Sequence, residues 1–388
     1  MATLKCEVVS VTIKQHDNAD ALEIAQVRGY QSIVRKGQFN TDELAVYIPE
    51  QSIVPEWLLR RLNLWDHEKG MGKLAGSNGG RVKAVKLRGV TSQGLLYPLE
   101  FIADEDGNCM YLLQTDSGSY EVFEDEDVTE KLGIVKWEPP VPIAMAGEVV
   151  ALAGKTLKYD IENVKNYPEI VDAFINLSIP VHITEKLHGT WACFGIYPED
   201  IHDEIPYNRV VVTSKGLSGK GLAFKDNEAN ANNLYLKAFK KLFPEEVFEE
   251  IKVLACNTDR PIFFIGEIFG KGVQDLGYGM DDVAFRLFDI YSGLPGQGKY
   301  LPRNVVDYLM DAYSLPFEQV PVLHTGEIAW HLIDSLTSGA DTINGVHIRE
   351  GIVIRPLDNE LKNGKIGRVI LKSVSDDYIN RKNGTEYN

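Results

Sequence analysis

No stretch of this 388-residue chain approaches the roughly 18 consecutive apolar residues that a membrane-crossing helix needs. The opening segment MATLKCEVVSVTIKQ lacks a basic start followed by an apolar block, so it does not read as a secretion signal. Cysteine is scarce: Cys6, Cys109, Cys193 and Cys256 stand far apart with no CxxC pair, which argues against a disulfide framework and against a zinc site. His16, His67, His182, His324 and His331 show no metal-ligand spacing either. Positive charge is short as well, with 40 Lys plus Arg against 56 Asp plus Glu, and the net charge of −16 disfavours indiscriminate adhesion to a polyanion. A nucleic-acid partner therefore requires a local basic surface. Internal repeats and low-complexity tracts are also lacking. The expectation is a soluble, cytoplasmic globular protein of ordinary composition, 44% hydrophobic and 25% charged.

The length suits two domains. Within residues 1–100 the short β-branched runs LKCEVVSVTI, LEIAQVRG, QSIVRKG and ELAVYIP alternate with turn clusters, which predicts a small β-barrel. One stripe there goes against the charge balance. In RVKAVKLR, Arg81, Lys83, Lys86 and Arg88 alternate with apolar residues; such a stripe is either a strand edge protected by charge or a set of phosphate contacts. Residues 101–156, with the acidic cluster Glu121 to Glu130 and the stiff KWEPPVP, read as a connecting segment. Residues 157–388 mix helical periodicity (ANNLYLKAFKKLF, PEEVFEEIKVLA, NVVDYLMDAY, EIAWHLIDSL) with strand runs (RVVVTSKG, PIFFIGEIFG, AFRLFDIY, EGIVIRP, RVILKSV). The fold class is therefore α+β.

Chemistry concentrates in the second part. ITEKLHGT places Thr184, Glu185 and Lys186 at the end of a β-branched run, with Gly189 three residues beyond the lysine. Alone, KxxG is an ordinary turn. Further along come TSKG with Lys215, FIGE with Glu267, FRLFDI with Phe288, REGIVIR with Glu350 and ILKS with Lys372, each joining an apolar strand to a charged or aromatic residue. Converging strand ends of this kind can supply a nucleophile, phosphate-binding cations, an aromatic wall for a base and carboxylates for a divalent metal. GLPGQGKY also spells GxxxxGK, but Tyr300 stands where a phosphate loop needs Ser or Thr, and the segment reads as a surface loop.

The ordered set resembles the motifs of the covalent nucleotidyltransferase superfamily of ATP-dependent ligases and RNA-capping enzymes. KLHG, with His188 where many relatives carry Asp, together with LKYDIENVKNYP, resembles RNA ligases of the T4 RNA ligase 2 type. The start, with NADALEIAQVRG, VRKGQF, AVYIPEQSIVPEWLL and GRVKAVKLRGVTSQGLLYPL, resembles the N-terminal OB domain of the fifth class of RNA ligases, and sixteen residues follow Lys372, too few for the C-terminal OB domain of DNA ligases and capping enzymes. The resemblance implies an N-terminal OB-type barrel followed by a nucleotidyltransferase domain of ATP-grasp-like antiparallel sheets with helices.

It further implies a monomeric RNA ligase that uses ATP with Mg²⁺ or Mn²⁺ to join 3′-OH and 5′-phosphate ends, at nicks in duplexes with an RNA 3′-OH strand. Lys186 is then the lysine that becomes AMP-linked. Thr184, Glu185, Gly189, Lys215, Glu267, Phe288, Glu350 and Lys372 complete the ATP site, Glu267 and Glu350 hold the metal, and Arg81, Lys83, Lys86 and Arg88 contact the nucleic acid. Trp191 stands where many ligases have Arg, and Ile370 where the last motif commonly has a first lysine, with Arg368 as a candidate substitute. A DNA ligase or a capping-type guanylyltransferase is the enzymatic alternative, and a nick-binding repair factor the non-enzymatic one.

Overall fold

The computed structural model describes residues 4–103, 109–198 and 209–386. They form two compact units, one of residues up to Glu138 with Lys165–Pro168, the other of Pro139–Val164 with Glu169 onward. No helix among the described residues is long and apolar enough to cross a membrane. Cys6, Cys193 and Cys256 are free thiols; the side chain of Cys109 lies outside the described set.

In the first unit, Glu7–Ser10 and Thr12–Gln15 are nearly one strand, interrupted at Val11. The break lets one segment serve two sheets. Glu7–Ser10 pairs antiparallel with Leu44–Ile48, which in turn pairs with Leu95–Pro98, while Thr12–Gln15 pairs with Leu22–Val27 and that strand with Tyr30–Arg35. Ser32 Oγ donates to the Gln93 carbonyl (2.7 Å) and Gln93 N to the Gln31 carbonyl (2.8 Å), so the last strand edge is covered as a barrel requires. Val9, Val11, Ala25, Val27, Ala45 and Leu96 fill one face.

The opposite face packs against residues that the composition had marked as a connection. Strand Cys109–Gln114 pairs with Glu100–Ala103 and Ser119–Val122, Val128 N bonds the Cys6 carbonyl (2.8 Å), and Leu113, Val122, Val128 and Leu132 are buried against Val8, Val46 and Ile48. The division thus falls at Glu138, unlike the expected limits of 1–100 and 101–156. Acidic side chains dominate the composition of this stretch, yet they point outward while every few residues an apolar one turns in.

The second unit holds two main sheets. One runs in the order Glu162–Asn163, Leu371–Val374, Gly351–Pro356, Val181–Lys186, Val322–Gly326. The other runs Val210–Ser214, Thr190–Ile196, Ile262–Gly270, Val283–Ser292, Lys299–Tyr300. The Thr190–Ile196 strand is buried along its whole length because each face has a cover. Phe194 and Ile196 meet the helices Leu234–Leu242 and Glu245–Thr258, whereas Trp191 and Cys193 pack with Val353 and Ile370 of the other sheet. Helix Leu234–Leu242 starts where the Asn233 side chain accepts from Tyr235 N and Leu236 N (3.0 and 3.1 Å), and it buries Tyr235, Leu236, Phe239 and Leu242. The helical and strand runs of the sequence appear as Leu234–Leu242, Glu245–Thr258, Arg303–Ala312 and Trp330–Thr337, and as the strands just named. Gly293 to Gly298 forms the hairpin loop between Val283–Ser292 and Lys299–Tyr300, with a strand rather than a helix after it.

Leu132 tests whether the acidic stretch is structural. Leu132→Ala should cost about 2–5 kcal/mol in urea unfolding, the range for a truncated core leucine; a change within about 0.5 kcal/mol, as for a surface position, would mark residues 101–138 as a linker after all.

Candidate active site

Lys186 is the last residue of Val181–Lys186, and Leu187–Gly189 turns the chain into Thr190–Ile196. This turn joins the two sheets. Gly189 has to be glycine on steric grounds, since a Cβ there would lie 2.1 Å from the Ile268 carbonyl oxygen and 3.0 Å from Glu267 Cγ. Gly351 meets the same limit, with a Cβ falling 2.0 Å from the Ser373 carbonyl oxygen. Gly189 thus lets the turn after Lys186 approach the strand Ile262–Gly270 of the other sheet, and Gly351 lets its strand close on Leu371–Val374 within its own sheet.

Register then decides which side chains share a face. Lys186 lies opposite Gly351, Thr184 opposite Val353, and Val353 opposite Lys372, so Thr184, Lys186, Val353 and Lys372 project to one side. Lys186 Nζ makes an ion pair with Glu350 Oε1 at 2.7 Å. Trp191 and Glu267 are cross-strand partners on the other sheet. Burial disfavours the charged Lys186 amine, but Glu350 and Glu267 outweigh it and hold the ammonium above the ordinary lysine range. Burial pushes the Glu267 carboxyl up to about 8, opposed by Lys186 and reinforced by Glu350. Lys372 is lowered to about 8 by burial and by Lys186. Lys215, at the end of Val210–Ser214, is lowered by burial; its amine bonds the Tyr159 carbonyl oxygen and lies 3.4 Å from Asp160 Oδ1. Lys186, Lys215, Glu267, Glu350 and Lys372, named from five separate motifs, thus interact as one cluster of three cations and two carboxylates.

Phe288 occupies a bulge. Ile265 pairs with Asp289 and Gly266 with Leu287, leaving Phe288 as the extra residue, and its ring lies 5.4 Å from that of Tyr159. With Thr184, His182, Gln319 and Arg355 it lines a cleft. Beneath it, buried Asp289 accepts from the Tyr159 hydroxyl (2.5 Å) and faces Arg355 (3.0 Å) and Arg368 (3.1 Å), which together hold its carboxyl below the usual range against the burial that would raise it. Arg368, offered by the sequence as a possible second cation of the last motif, is therefore committed to Asp289 and to the Tyr300 ring at 3.5 Å. Trp191 lies 6.3 Å from Tyr159 between ring centres, and its buried indole Nε1 has no hydrogen-bond partner among the described residues.

Two expected residues, Glu185 and Arg81, and the motif residue His188 sit apart from this cluster. The Glu185 side chain projects to the opposite sheet face, where it accepts from Thr342 N (2.8 Å) and lies 3.7 Å from Arg349 Nε. His188 is buried, bonded through Nε2 to Asp275 (2.8 Å) and through Nδ1 to the Tyr378 hydroxyl (2.7 Å), and burial holds it below the ordinary histidine range. In the first unit the guanidinium of Arg81 lies 3.2 Å from the centre of the Trp137 ring, with Nη2 donating to Gln51 Oε1 (2.9 Å). Lys83, Lys86 and Arg88 are exposed. The last two belong to the hairpin Val85–Leu87 and Val90–Ser92, turned by Arg88 and Gly89 at φ 49° and 92°. Sequence reasoning passed over Asp275, Asp289, Arg355 and Tyr378; Tyr159 and Asp289 lay inside quoted motifs, but nothing in the chain order points Asp275 or Tyr378 at residue 188.

Among the described residues no three His, Cys, Asp or Glu side chains group to hold a metal ion by themselves. Glu267 and Glu350, two interacting carboxylates in a cation-rich cluster, nonetheless fit a hard divalent ion that keeps water and ligand oxygens in its remaining positions.

Comparison with known proteins bears on this geometry. A family model described as RNA ligase matches residues 179–374, and an OB-fold domain model matches residues 5–99. Among solved structures, Naegleria gruberi RNA ligase in a mutant form with ATP and Mn is 23% identical, covers 96% of this chain and 98% of its own, and superimposes with a TM-score of 0.73. The same protein with PPi gives 24% identity, 97% and 98% coverage and 0.73. A mutant with AMP and Mn gives 23%, 97% and 98%, and 0.73. The two-part fold is shared throughout. No curated protein sequence matches the chain.

Glu267 makes the electrostatics measurable. Its folded pKa of about 8 lies above its ordinary value of 4.5, so its contribution to stability is fully present below about 4.5 and is lost as pH rises through about 8. The melting temperature of ligand-free Glu267→Gln should therefore climb relative to wild type between about pH 5 and pH 9; a difference that stays flat across that window would mean an ordinary, solvated carboxylate.

Proposed function

Because the chain belongs to the RNA ligase family, we propose that it uses ATP to join a 3′-OH to a 5′-phosphate, at nicks in duplexes whose 3′-OH strand is RNA. The observation that carries this reading is the pairing of Lys186 with Glu350 inside a cluster that also holds Lys215, Glu267 and Lys372.

In the first step Lys186 Nζ attacks the α-phosphorus of ATP, the bond to pyrophosphate breaks, and AMP becomes linked to nitrogen. The amine is a paired ammonium beforehand, so it has to lose a proton, and Glu350 Oε1 at 2.7 Å is the acceptor that the chain itself offers. Lys215 and Lys372 place positive charge where phosphate oxygens gain negative charge. Phe288 offers a ring for the purine, with Thr184 beside it in the cleft. Mg²⁺ or Mn²⁺, held by Glu267 and Glu350, would offset charge on the phosphate oxygens and favour the neutral amine. In the second step a 5′-phosphate oxygen attacks the linked AMP and Lys186 departs with a proton. In the third, the 3′-OH loses its proton to solvent and attacks the activated 5′-phosphorus, the phosphoanhydride bond breaks and AMP leaves. Each is an in-line displacement governed by positioning and electrostatics. Support for the nucleotide and metal comes from the related Naegleria gruberi structures with ATP, AMP and Mn.

Lys83, Lys86 and Arg88, exposed on a chain of net charge −16, are the proposed phosphate contacts of the first unit. Arg81 precedes them on the chain, with its guanidinium over the Trp137 ring and bonded to Gln51.

Intact mass after incubation with ATP and Mg²⁺ or Mn²⁺ should rise by one AMP in wild type and not in Lys186→Ala. No adduct in protein first stripped with pyrophosphate would favour a nick-binding factor, and an adduct from GTP instead would favour a capping-type enzyme. On matched nicks, sealing should depend on ribose at the 3′-OH end; equal sealing of all-DNA nicks would point to a DNA ligase. Replacing Lys83, Lys86 and Arg88 together by Ala should leave the adduct intact while lowering the salt slope of nick binding by about 2–3, at about 0.9 per lost phosphate contact. An unchanged slope would remove these residues from the interface.

A further inference from the structure

The Leu187–Gly189 turn follows Lys186, and its His188 N–H, its His188 imidazole and its Gly189 carbonyl are held by two segments, around residues 274–278 and 375–385. The backbone N–H of His188 donates to the Tyr278 hydroxyl at 2.6 Å, and Gln274 Nε2 donates to the Gly189 carbonyl. Tyr278 itself sits at φ 51°, a conformation that aromatic residues adopt only when their surroundings impose it. The imidazole of His188 is gripped at both nitrogens, Nε2 by Asp275 Oδ1 at 2.8 Å and Nδ1 by the Tyr378 hydroxyl at 2.7 Å.

Asp275 is where these ties converge. Its Oδ1 accepts from His188 Nε2, from Thr385 N and Oγ1 (2.8 Å each) and from Arg381 Nη2 (3.1 Å), and its Oδ2 accepts from Arg381 Nε at 2.9 Å. Burial alone would raise this carboxyl, yet the donors hold it far below the usual carboxylate range. Arg381 in turn lies on the face of Tyr378, 3.7 Å from the ring centre. Ser375 N, at the start of the same segment, donates to the Glu350 carbonyl at 2.9 Å. A permanent anion can only accept, and Asp275 at 2.8 Å is much nearer to Nε2 than the donor Arg381 Nη2 at 3.4 Å, so the proton of the imidazole belongs on Nε2 and the Tyr378 hydroxyl donates to the lone pair of Nδ1.

That arrangement matters because Nδ1 is 3.9 Å from Glu350 Oε2, while Oε1 of the same carboxylate holds Lys186. With the other tautomer, Nδ1–H would compete with Lys186 for Glu350. We propose that Asp275 is a positioning residue for the reaction of Lys186: braced by Arg381 and Thr385, it fixes the His188 tautomer and ring, and so keeps Glu350 directed at the lysine. Segment 375–386 is thereby part of the active-site architecture without touching substrate.

The inference rests on the proposed adenylylation of Lys186, so wild-type protein is the control. In Asp275→Ala the rate of AMP attachment at saturating ATP should fall about 100-fold, the scale for a catalytic group displaced by about 1 Å, with KM for ATP unchanged. ¹⁵N spectra of histidine-labelled protein, assigned against His188→Gln, should show one Nε2–H tautomer in wild type and a mixture in Asp275→Ala. Asp275→Asn keeps an acceptor for Nε2–H and should restore both the single tautomer and most of the rate, which a merely structural role would not require. A wild-type rate in Asp275→Ala, a raised KM at unchanged maximal rate, or an unaltered tautomer would overturn the proposal alone. If Asp275→Ala does not fold, Tyr378→Phe decides, since it removes one hydroxyl from Nδ1: a slower rate supports the proposal and a wild-type rate overturns it. Absence of any adduct in wild type would overturn the proposed function and this inference with it.

Discussion

The ion pair of Lys186 with Glu350 is the contact on which the rest of the second unit converges. Two residues 164 positions apart in the chain meet at 2.7 Å in surroundings that strip water from both. Burying charges costs several kcal/mol per ion unless partners replace the lost water, and here each charge is compensated by its neighbours. Lys186 sees Glu350 and Glu267, Glu267 sees Lys186 and Lys215, and Lys372 sees Glu350 and Glu162. Asp160 beside Lys215 and Glu162 beside Lys372 extend the network, so that each of the three amines has a carboxyl neighbour. Burial is the main reason that Lys215 and Lys372 are lowered, with the neighbouring Lys186 adding to it.

Such a cluster needs a rigid frame. Thr190–Ile196 and Ile262–Gly270 are buried on both faces, and the glycines at 189 and 351 bring backbone within the distance at which any side chain would collide. A bulge at Phe288 turns one aromatic ring out of the strand alternation, and the Asp289, Arg355 and Arg368 group anchors the backbone on either side of it. The turn that carries Lys186 is fixed by Tyr278, Asp275 and Tyr378. In the first unit a comparable device is the seat of Arg81 on Trp137, which spends one cation of the basic stripe on holding the barrel and leaves Lys83, Lys86 and Arg88 outward.

Legibility differed by the range of the interaction. Helices Leu234–Leu242 and Glu245–Thr258 and strands Ile262–Gly270 and Gly351–Pro356 of the second unit follow apolar periodicity, a local signal, and lie where the runs ANNLYLKAFKKLF, PEEVFEEIKVLA, PIFFIGEIFG and EGIVIRP place them. The site motifs were legible because each joins an apolar run to a charged or aromatic residue, although Glu267 and Phe288 lie within their strands and not at the ends. Residues 101–138 were misjudged from composition: Val122, Val128 and Leu132 are too thinly spaced among acids to register as a core, although each is fully buried. Asp275 and Tyr378 were invisible because their importance comes from meeting His188 across gaps of 87 and 190 residues.

By itself the sequence determined the class of fold and the order of the motifs, and it offered the candidate lysine, glutamates and aromatic, since strand and helix periodicity and the residue types along the strands are written locally. Tertiary structure alone decided which face each of them occupies. Pairing register puts Lys186 and Lys372 on one side and Glu185 on the other, and a shift of one residue would exchange them. It also decided that Arg81 and Arg368, cations like their neighbours in the chain, are held by Trp137 and by Asp289. A side chain's charge is fixed by its type, but whether that charge is free to meet a ligand depends on what the fold has already set against it.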